Sequence, residues 1–169
     1  MTMIRYFAIA ILLATLTVSA NAQQFLSEHG NWAVFTSSEA GSKVCYITAN
    51  PTRKTGNYRV RGDVYMIVTY RGGNSVPEVA IDTGFEYKKA SEVAFVVDGR
   101  KSFKLFTSAQ TPQMSWAKDA QSDRTIIEAM KNGGAVSVKG TSVRGTYAQD
   151  SYSLKGFTAA YNKMMNSCR

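Results

Sequence analysis

Serine and lysine residues occur at spacings that can support nucleophilic catalysis without histidine. Penicillin-recognising enzymes carry a Ser-x-x-Lys motif first and a Lys-Thr-Gly motif last along their chains. This sequence holds related fragments at residues 115–118 and 54–56, together with a Ser-Asp pair at residues 122–123. The Lys-Thr-Gly fragment precedes the Ser-x-x-Lys fragment, so the order of the motifs is reversed. We therefore interpret these fragments as coincidental and expect no catalytic serine of this type.

A histidine-based site would have to be built around His29, the single histidine of the chain. Zinc sites and pairs of a nucleophile with a base need further His, Cys or carboxylate groups at suitable spacings. The sequence contains neither a metal-ligand spacing nor a Cys-His pair. We therefore expect His29 to be a surface residue, and we expect no catalytic residue, metal or cofactor.

A strip rich in hydroxyl groups, TYAQDSYSLKG, occupies residues 146–156. Asp150 and Lys155 are the charged residues within it that could activate a hydroxyl group. The residue types alternate along the strip, which predicts an extended strand with Tyr152 and Leu154 facing inward. We interpret the strip as a packed strand that leads into a helix, not as a catalytic loop.

The first 22 residues predict a Sec signal peptide. One cation, Arg5, precedes an apolar run at residues 7–18, and an Ala-Asn-Ala ending places the cleavage site between Ala22 and Gln23. A membrane-spanning helix needs about 20 apolar residues, so no anchor is expected after signal removal. We therefore expect residues 23–169 to form a single exported domain in the periplasm, associated with the outer membrane or secreted.

Cys45 and Cys168 are the two cysteines of the chain. Thiols outside the cytoplasm become oxidised, so we expect the two residues to form a disulfide. Cys45 lies in a β-branched run that predicts a strand, and Cys168 falls on the apolar face of a predicted C-terminal helix. A bridge that closes so long a loop would stabilise the fold by about 4 to 5 kcal/mol.

The charge of the chain points to an anionic partner. The formal net charge is +8, and removal of the single cation of the signal peptide gives +8 − 1 = +7. A basic exported protein favours anionic surfaces of the envelope or of a host cell, whereas export separates it from nucleic acid. The alternative is that the charge only provides solubility. The densest basic cluster supplies the candidate partner-binding residues, Arg53, Lys54, Arg59 and Arg61.

Residues 61–63 form an Arg-Gly-Asp tripeptide, which is an adhesion signal when a loop displays it. The tripeptide directly precedes a predicted strand, and glycine is common where the backbone turns. Such short motifs often occur by chance. We therefore expect Gly62 to serve a turn and the tripeptide to have no role in integrin binding.

Short β-branched or aromatic runs, separated by Gly, Pro and Asn residues, predict about eight strands. They lie at residues 32–36, 44–48, 64–70, 78–81, 93–97, 102–107, 135–139 and 142–147. Helical periodicity and capping predict one helix at residues 122–132, with Ser122 as its N-cap, and a second helix at the C-terminus. The sequence therefore predicts a mainly β domain, a β-sandwich with two short helices.

Several segments, in order along the chain, resemble the invasion-associated locus B family of small exported alphaproteobacterial proteins. The main matching segments are residues 45–47, 61–71, 91–107, 126–134 and 141–168. The resemblance implies an immunoglobulin-like β-sandwich and a link with the invasion of host cells. It implies no catalytic residues, because no enzymatic activity is attached to the family.

Two classes of function remain from the sequence. The first is a non-enzymatic binding module that acts at the envelope or on host cells. The second is a small periplasmic envelope hydrolase, which the lack of a general base and of a metal-ligand set disfavours. Buried titratable groups lining a pocket would favour the enzyme, whereas an exposed basic or aromatic patch would favour the binding module.

Overall fold

The computed structural model describes residues 23–168, and the predicted signal peptide, including Ala22, lies outside them. Between these bounds no helix is long and apolar enough to cross a membrane. The described chain forms eleven strands and two helices. They are β1 (Gln24–His29), β2 (Trp32–Glu39), β3 (Ser42–Ala49), β4 (Arg53–Gly56), β5 (Tyr65–Tyr70), β6 (Glu78–Asp82), β7 (Glu92–Val97), β8 (Lys101–Thr107), β9 (Met114–Trp116), α1 (Ala120–Lys131), β10 (Ala135–Thr141), β11 (Tyr147–Ser153) and α2 (Phe157–Ser167).

All eleven strands belong to one antiparallel sheet with the order β1-β2-β3-β5-β6-β9-β8-β7-β10-β11-β4. One hydrophobic cluster joins the two halves of this sheet. It contains Trp32 and Val68 from the first half and Phe95 and Tyr152 from the second. The inward side chains alternate with more exposed ones along the strands, as expected where one face of a sheet is buried. The predicted mainly β class is confirmed.

The strand boundaries differ from the prediction in several places. β1, β4 and β9 were not predicted, and β4 is polar and exposed along its whole length, so it carries no hydrophobic alternation. The strand predicted at residues 142–147 is wrong for most of its length, because residues 142–146 form a turn and β11 begins at Tyr147. The extended backbone predicted after this residue is confirmed, with Tyr152 and Leu154 buried.

α2 packs against the sheet near its N-terminal edge. Its buried Phe157 contacts Trp32 edge to face, with 4.9 Å between the ring centroids. Gly156 precedes the helix with a φ of 90°, and a Cβ atom there would lie 1.9 Å from the carbonyl oxygen of His29. Only glycine therefore allows the β1–β2 turn to approach the start of α2 so closely.

The predicted disulfide between Cys45 and Cys168 is present in the structure. It joins β3 to the C-terminal end of α2, with 5.8 Å between the Cα atoms and a sequence separation of 123 residues. Both half-cystines are buried. The bridge therefore holds the last helix against the third strand from the N-terminal edge of the sheet.

α1 begins earlier than predicted, because Asp119 and not Ser122 is its N-cap. The Asp119 carboxylate accepts a hydrogen bond from the Ser122 N–H at 2.8 Å. One turn later, the Asp123 carboxylate accepts from the Val79 N–H of β6 at 2.8 Å. The first acidic residue thus caps the helix, and the second attaches the helix to the sheet.

Candidate functional site

The four basic residues predicted to bind a partner do not form one patch. Arg53 and Lys54 are exposed on the edge strand β4. Lys54 lines a cleft of about 740 Å³ on the side of Asp63, whereas Arg59 lines a different cleft of about 850 Å³. Arg61 points into the protein, where its side chain is 3% exposed. These four residues are close in sequence, but they do not share one surface.

Arg61 forms a buried ion pair with Asp150 of β11. Its Nη1 atom donates to Asp150 Oδ2 at 2.8 Å, and its Nη2 atom donates to Asp150 Oδ1. The side chain of Asp150 is only 2% exposed. Because it is buried in this ion pair, Arg61 cannot contact a partner. The expectation that Arg61 is a partner-binding residue is therefore wrong. A buried, two-pronged pair of this kind fixes position, because either charge alone would be costly to bury.

The Arg-Gly-Asp tripeptide adopts a structural role around this ion pair. The N–H of Gly62 donates to the carbonyl oxygen of Gly84 at 2.8 Å, while Asp63 is exposed. Gly84 has a φ of 70°, and a Cβ atom there would lie 2.6 Å from the Gly62 carbonyl oxygen. The tripeptide is thus packed along a neighbouring segment, and its arginine side chain is not displayed.

The ion pair also anchors the loop at residues 57–60. The guanidinium carbon of Arg61 lies 4.4 Å from the ring centroid of Tyr58, a distance typical of a cation–π contact. At the other end of the loop, Asn57 Oδ1 accepts a hydrogen bond from the Tyr147 N–H at 2.7 Å. Both ends are therefore fixed, and the residues between them, Arg59 and Val60, are exposed.

The turn between β10 and β11 is fixed by Ser142. Its Oγ atom accepts from the N–H groups of Arg144 and Thr146, both at 3.2 Å. The Val143 N–H donates to the carbonyl oxygen of Glu86 at 2.9 Å, which ties the turn to the segment that follows Gly84. The turn therefore presents Val143 and Arg144 on a backbone that is held from two sides.

The cleft of about 850 Å³ lies between the loop at residues 57–60, the residues around Phe85 and the β10–β11 turn. We call it the basic cleft. Val60 and Val143 are 88% and 51% exposed at its edge. The cleft is lined by Tyr58, Arg59, Val60, Phe85, Val143 and Arg144, with Glu86 as an acidic neighbour.

The fragments that resemble a serine and lysine active site do not assemble. Ser115 is fully buried in β9, and its hydroxyl donates to the Tyr87 hydroxyl at 3.5 Å. Lys118 is exposed, and Lys54 lies on the distant edge strand β4. The structure therefore gives these residues separate structural surroundings, as the order of the motifs indicated.

His29 is half-buried at the end of β1. Its Nε2 atom lies 3.1 Å from the hydroxyl oxygen of Ser27 on the same strand. Within residues 23–168, no carboxylate is hydrogen-bonded to the ring. The same part of the chain holds no group of three or more His, Cys, Asp or Glu side chains arranged to bind a metal.

Buried titratable groups occur away from the basic cleft. Burial raises the pKa of the Asp123 carboxyl to about 6, although its bond from the Val79 N–H acts in the opposite direction. Asp123 borders a cleft of about 480 Å³. Buried titratable groups that line a pocket would favour an enzyme, so this expectation is met in part. Burial also raises the pKa values of Tyr87 and Tyr152. Asp123 joins α1 to β6, and Tyr87 and Tyr152 belong to the hydrophobic core.

One sequence signal for this region is the alternation of residues along β11. The alternation that places Ala148 and Tyr152 inward places Asp150 inward as well, and a carboxylate that stays ionised when buried needs a compensating partner such as a cation. Val60 and Val143 each stand beside an arginine in the sequence. What the sequence could not show is that these two segments meet.

Comparisons with known proteins agree with this fold. The model of the family described as invasion associated locus B (IalB) protein matches residues 32–165. The crystal structure of invasion associated protein b from Bartonella henselae is similar, with a TM-score of 0.57 and 18% sequence identity, over 83% of this chain and 96% of that chain. That likeness shows a shared fold. Among curated proteins, no sequence matches this chain. Because the family model covers most of its length, the chain belongs to the invasion associated locus B family.

Proposed function

We propose that this protein is an exported, non-enzymatic binding module that meets an anionic partner at the cell envelope or on a host surface. The observation that carries the proposal is the basic cleft. Two loops that are distant in sequence bring Arg59 and Arg144 to one concave surface, beside the exposed apolar side chains of Val60 and Val143. Cations next to apolar groups are suited to a partner that is anionic and partly apolar.

The long-range charge of the protein supports the same proposal. The mature chain, beginning at Gln23 after cleavage behind Ala22, would carry a net charge of +8 − 1 = +7. Such a charge attracts anionic surfaces from a distance, and salt weakens this attraction. Arg53 and Lys54 on β4 add exposed positive charge outside the cleft. We assign them a contribution to this attraction and assign Arg59 direct contact.

The buried acids fit a binding module better than a hydrolase. Asp150 is held by two hydrogen bonds from Arg61, so it is not free to act as a general base. Asp123 receives the Val79 N–H and links α1 to β6. A hydrolytic site needs a nucleophile and a base within hydrogen-bond reach of each other and of a substrate. The acidic groups described here have structural partners instead.

Three features taken together support a location at the envelope. The sequence predicts a signal peptide, the chain belongs to the invasion associated locus B family, and Cys45 and Cys168 form a disulfide. Disulfides persist in oxidising compartments, including the bacterial periplasm and the cell exterior. The similar protein from Bartonella henselae is named for invasion, and we extend to this chain a role in contact with envelope or host surfaces.

The experiment that tests this proposal measures binding of the mature, oxidised protein to bacterial envelope fractions and to host-cell membranes. We expect saturable binding that weakens as salt rises and the Debye length falls from about 10 Å at 0.1 M to about 3 Å at 1 M. Replacing Arg59 and Arg144 by glutamine should weaken binding at the lower salt concentration. Binding that is absent from both kinds of membrane would contradict the proposal, and so would a hydrolytic activity that one Asp123→Asn substitution abolishes in the folded protein.

A further inference from the structure

We propose that the edge of the basic cleft docks on a bilayer that contains anionic phospholipid. Arg59 and Arg144 would contact lipid phosphate groups, and Val60 and Val143 would enter the interfacial region of the bilayer. This inference rests on the proposed function, because it names the anionic surface that the binding module meets. It differs from a general attraction by charge in requiring the two valines.

Both loop tips show the same pairing of an apolar and a cationic side chain. Arg59 precedes Val60 in one loop, and Arg144 follows Val143 in the other. The valines are 88% and 51% exposed, and both border the same cleft. Single exposed apolar residues are common on protein surfaces and need no explanation. Here two exposed valines lie on neighbouring anchored loops, each beside an arginine. They form one surface that can face a bilayer in a single orientation.

The charges around the two tips complement an anionic bilayer. Lys88 and Lys89 are exposed, and the Lys88 N–H donates to the Thr141 carbonyl oxygen at the base of the β10–β11 turn. Together with Arg59 and Arg144 they give four cations, against Glu86 as the acid that lines the cleft. Each cation near an anionic membrane surface strengthens binding by about fivefold.

An exposed tyrosine beside the turn adds to the interfacial character of this surface. Tyr147 is 41% exposed at the start of β11, and the Lys139 ammonium group lies 5.1 Å from its ring centroid. Tyrosine prefers the boundary between lipid headgroups and hydrocarbon, because its ring is apolar and its hydroxyl is polar. The aromatic ring, the valines and the cations thus match the successive layers of a bilayer surface.

The tips are ordered by their own hydrogen bonds before any partner binds. Ser142 fixes the turn, and the contacts of Asn57 and Arg61 fix the loop at residues 57–60. A surface that is already ordered loses less conformational entropy on binding. A free phosphate or a sulfated glycan would satisfy the arginines, but it would give Val60 and Val143 no apolar environment. The combination of residues therefore favours a bilayer over a purely ionic partner.

The test uses the mature, oxidised protein and vesicles of phosphatidylcholine with or without phosphatidylglycerol, separated by sedimentation at about 0.1 M salt. We expect binding to the vesicles that contain phosphatidylglycerol. The double variant Val60→Ser, Val143→Ser should bind about tenfold more weakly, because two apolar contacts are lost. Arg59→Gln with Arg144→Gln should reduce binding by more than tenfold. Thermal unfolding of each variant would verify that these exposed substitutions leave the fold intact.

Matched controls separate the cleft from the rest of the surface. Phe25→Ser alters an exposed apolar residue that does not line the cleft, and Arg100→Gln removes a cation from the turn between β7 and β8. Both should bind vesicles as the wild type does. In addition, Val60→Trp fluorescence should be quenched by lipids brominated on their acyl chains, beyond the quenching of the wild-type protein.

The outcomes distinguish this inference from the proposed function. Equal vesicle binding by the wild type and by the double valine variant would overturn the inference, as would quenching that does not change with Val60→Trp. Binding to envelope fractions or to a sulfated glycan without binding to anionic vesicles would overturn the inference and leave the proposed function standing. A protein that binds neither membranes nor vesicles would contradict both.

Discussion

Arg61 and Asp150 are separated by 89 residues in the sequence and form a two-pronged ion pair in the interior. The pair connects the loop before β5 to β11, the penultimate strand of the sheet. Through the contact of Arg61 with Tyr58 it also determines where the loop at residues 57–60 lies. The exposed residues of the basic cleft therefore depend on a buried interaction that no partner touches.

Removing either charge of this pair should strongly destabilise the protein. We expect Arg61→Gln and Asp150→Asn each to lower the free energy of unfolding by about 3–5 kcal/mol, because the remaining group stays buried without its partner. Denaturant unfolding would measure the change. The control is Arg71→Gln, whose ion pair with Glu78 is about half-exposed and should contribute less than about 1 kcal/mol. Equal effects of the buried and exposed substitutions would contradict this account.

The disulfide should contribute much of the total stability. Replacing Cys45 and Cys168 by alanine removes a bridge with a sequence separation of 123 residues. We expect the free energy of unfolding to fall by about 4–5 kcal/mol, on the model in which the bridge restricts the unfolded chain. Peptide mapping without reductant should first show the two cysteine peptides linked. Free thiols in the exported protein, or a reduced protein of undiminished stability, would be incompatible with this role.

The buried carboxyl of Asp123 should make stability depend on pH. Burial raises its pKa from 3.8 to about 6. Because the folded protein holds this proton more tightly than the unfolded chain, ionisation of Asp123 opposes folding, and stability is lost as the pH rises from about 4 to about 6. Asp123→Asn removes the charge and keeps an oxygen for the Val79 N–H. We expect the variant to exceed the wild type by about 1–3 kcal/mol near pH 7.5 and to equal it near pH 3.5.

A second helix residue provides the control for this pH dependence. Hydrogen bonds from Ser122 lower the pKa of Asp119, so its ionisation favours folding. Asp119→Asn should therefore make the protein less stable than the wild type at neutral pH, and the difference should disappear as the pH falls. Chemical unfolding across this pH range compares both variants with the wild type. A stability difference for Asp123→Asn that does not change with pH would refute the assignment.

Gly84, which packs against the backbone of the Arg-Gly-Asp tripeptide, should tolerate no side chain. An added Cβ atom would lie 2.6 Å from the Gly62 carbonyl oxygen, and the backbone φ of 70° is unfavourable for alanine. We expect Gly84→Ala to cost more than about 2 kcal/mol, because strain and overlap combine. Gly145→Ala is the matched control, since Gly145 has a φ of 79° and open space around it. Thermal unfolding that showed equal losses would mean that the close approach is unimportant.

The fold was largely predictable from local patterns, whereas the site was not. Alternation of apolar and polar residues predicted most strands, and export together with two cysteines predicted the disulfide. The edge strand β4 could not be predicted, because its residues, Arg53 to Gly56, are polar and exposed. Only its pairing with β11 identifies it as a strand. The N-cap of α1 was misassigned because Asp119 and Ser122 are both good N-caps, and only the backbone geometry distinguishes them.

The candidate site depends on contacts between residues that are far apart in the sequence. Arg61 stood in a basic cluster, and no local pattern shows that it pairs with Asp150 rather than with a partner. The basic cleft likewise joins Val60 with Val143, which come together only when β4 pairs with β11. Composition correctly indicated an excess of positive charge, but the fold decides which cations share a surface.

A comparison between two variants of equal charge tests the central claim most directly. Arg59→Gln with Arg144→Gln removes two cations from the basic cleft, and Arg100→Gln with Lys101→Gln removes two exposed cations beside the β7–β8 turn, at the other end of β10. Each double variant has a mature net charge of +8 − 1 − 2 = +5. Binding to envelope membranes at about 0.1 M salt should fall by more than tenfold for the first variant and remain near the wild-type value for the second. Equal weakening of both variants, or no weakening of the first, would contradict the assignment of binding to the basic cleft.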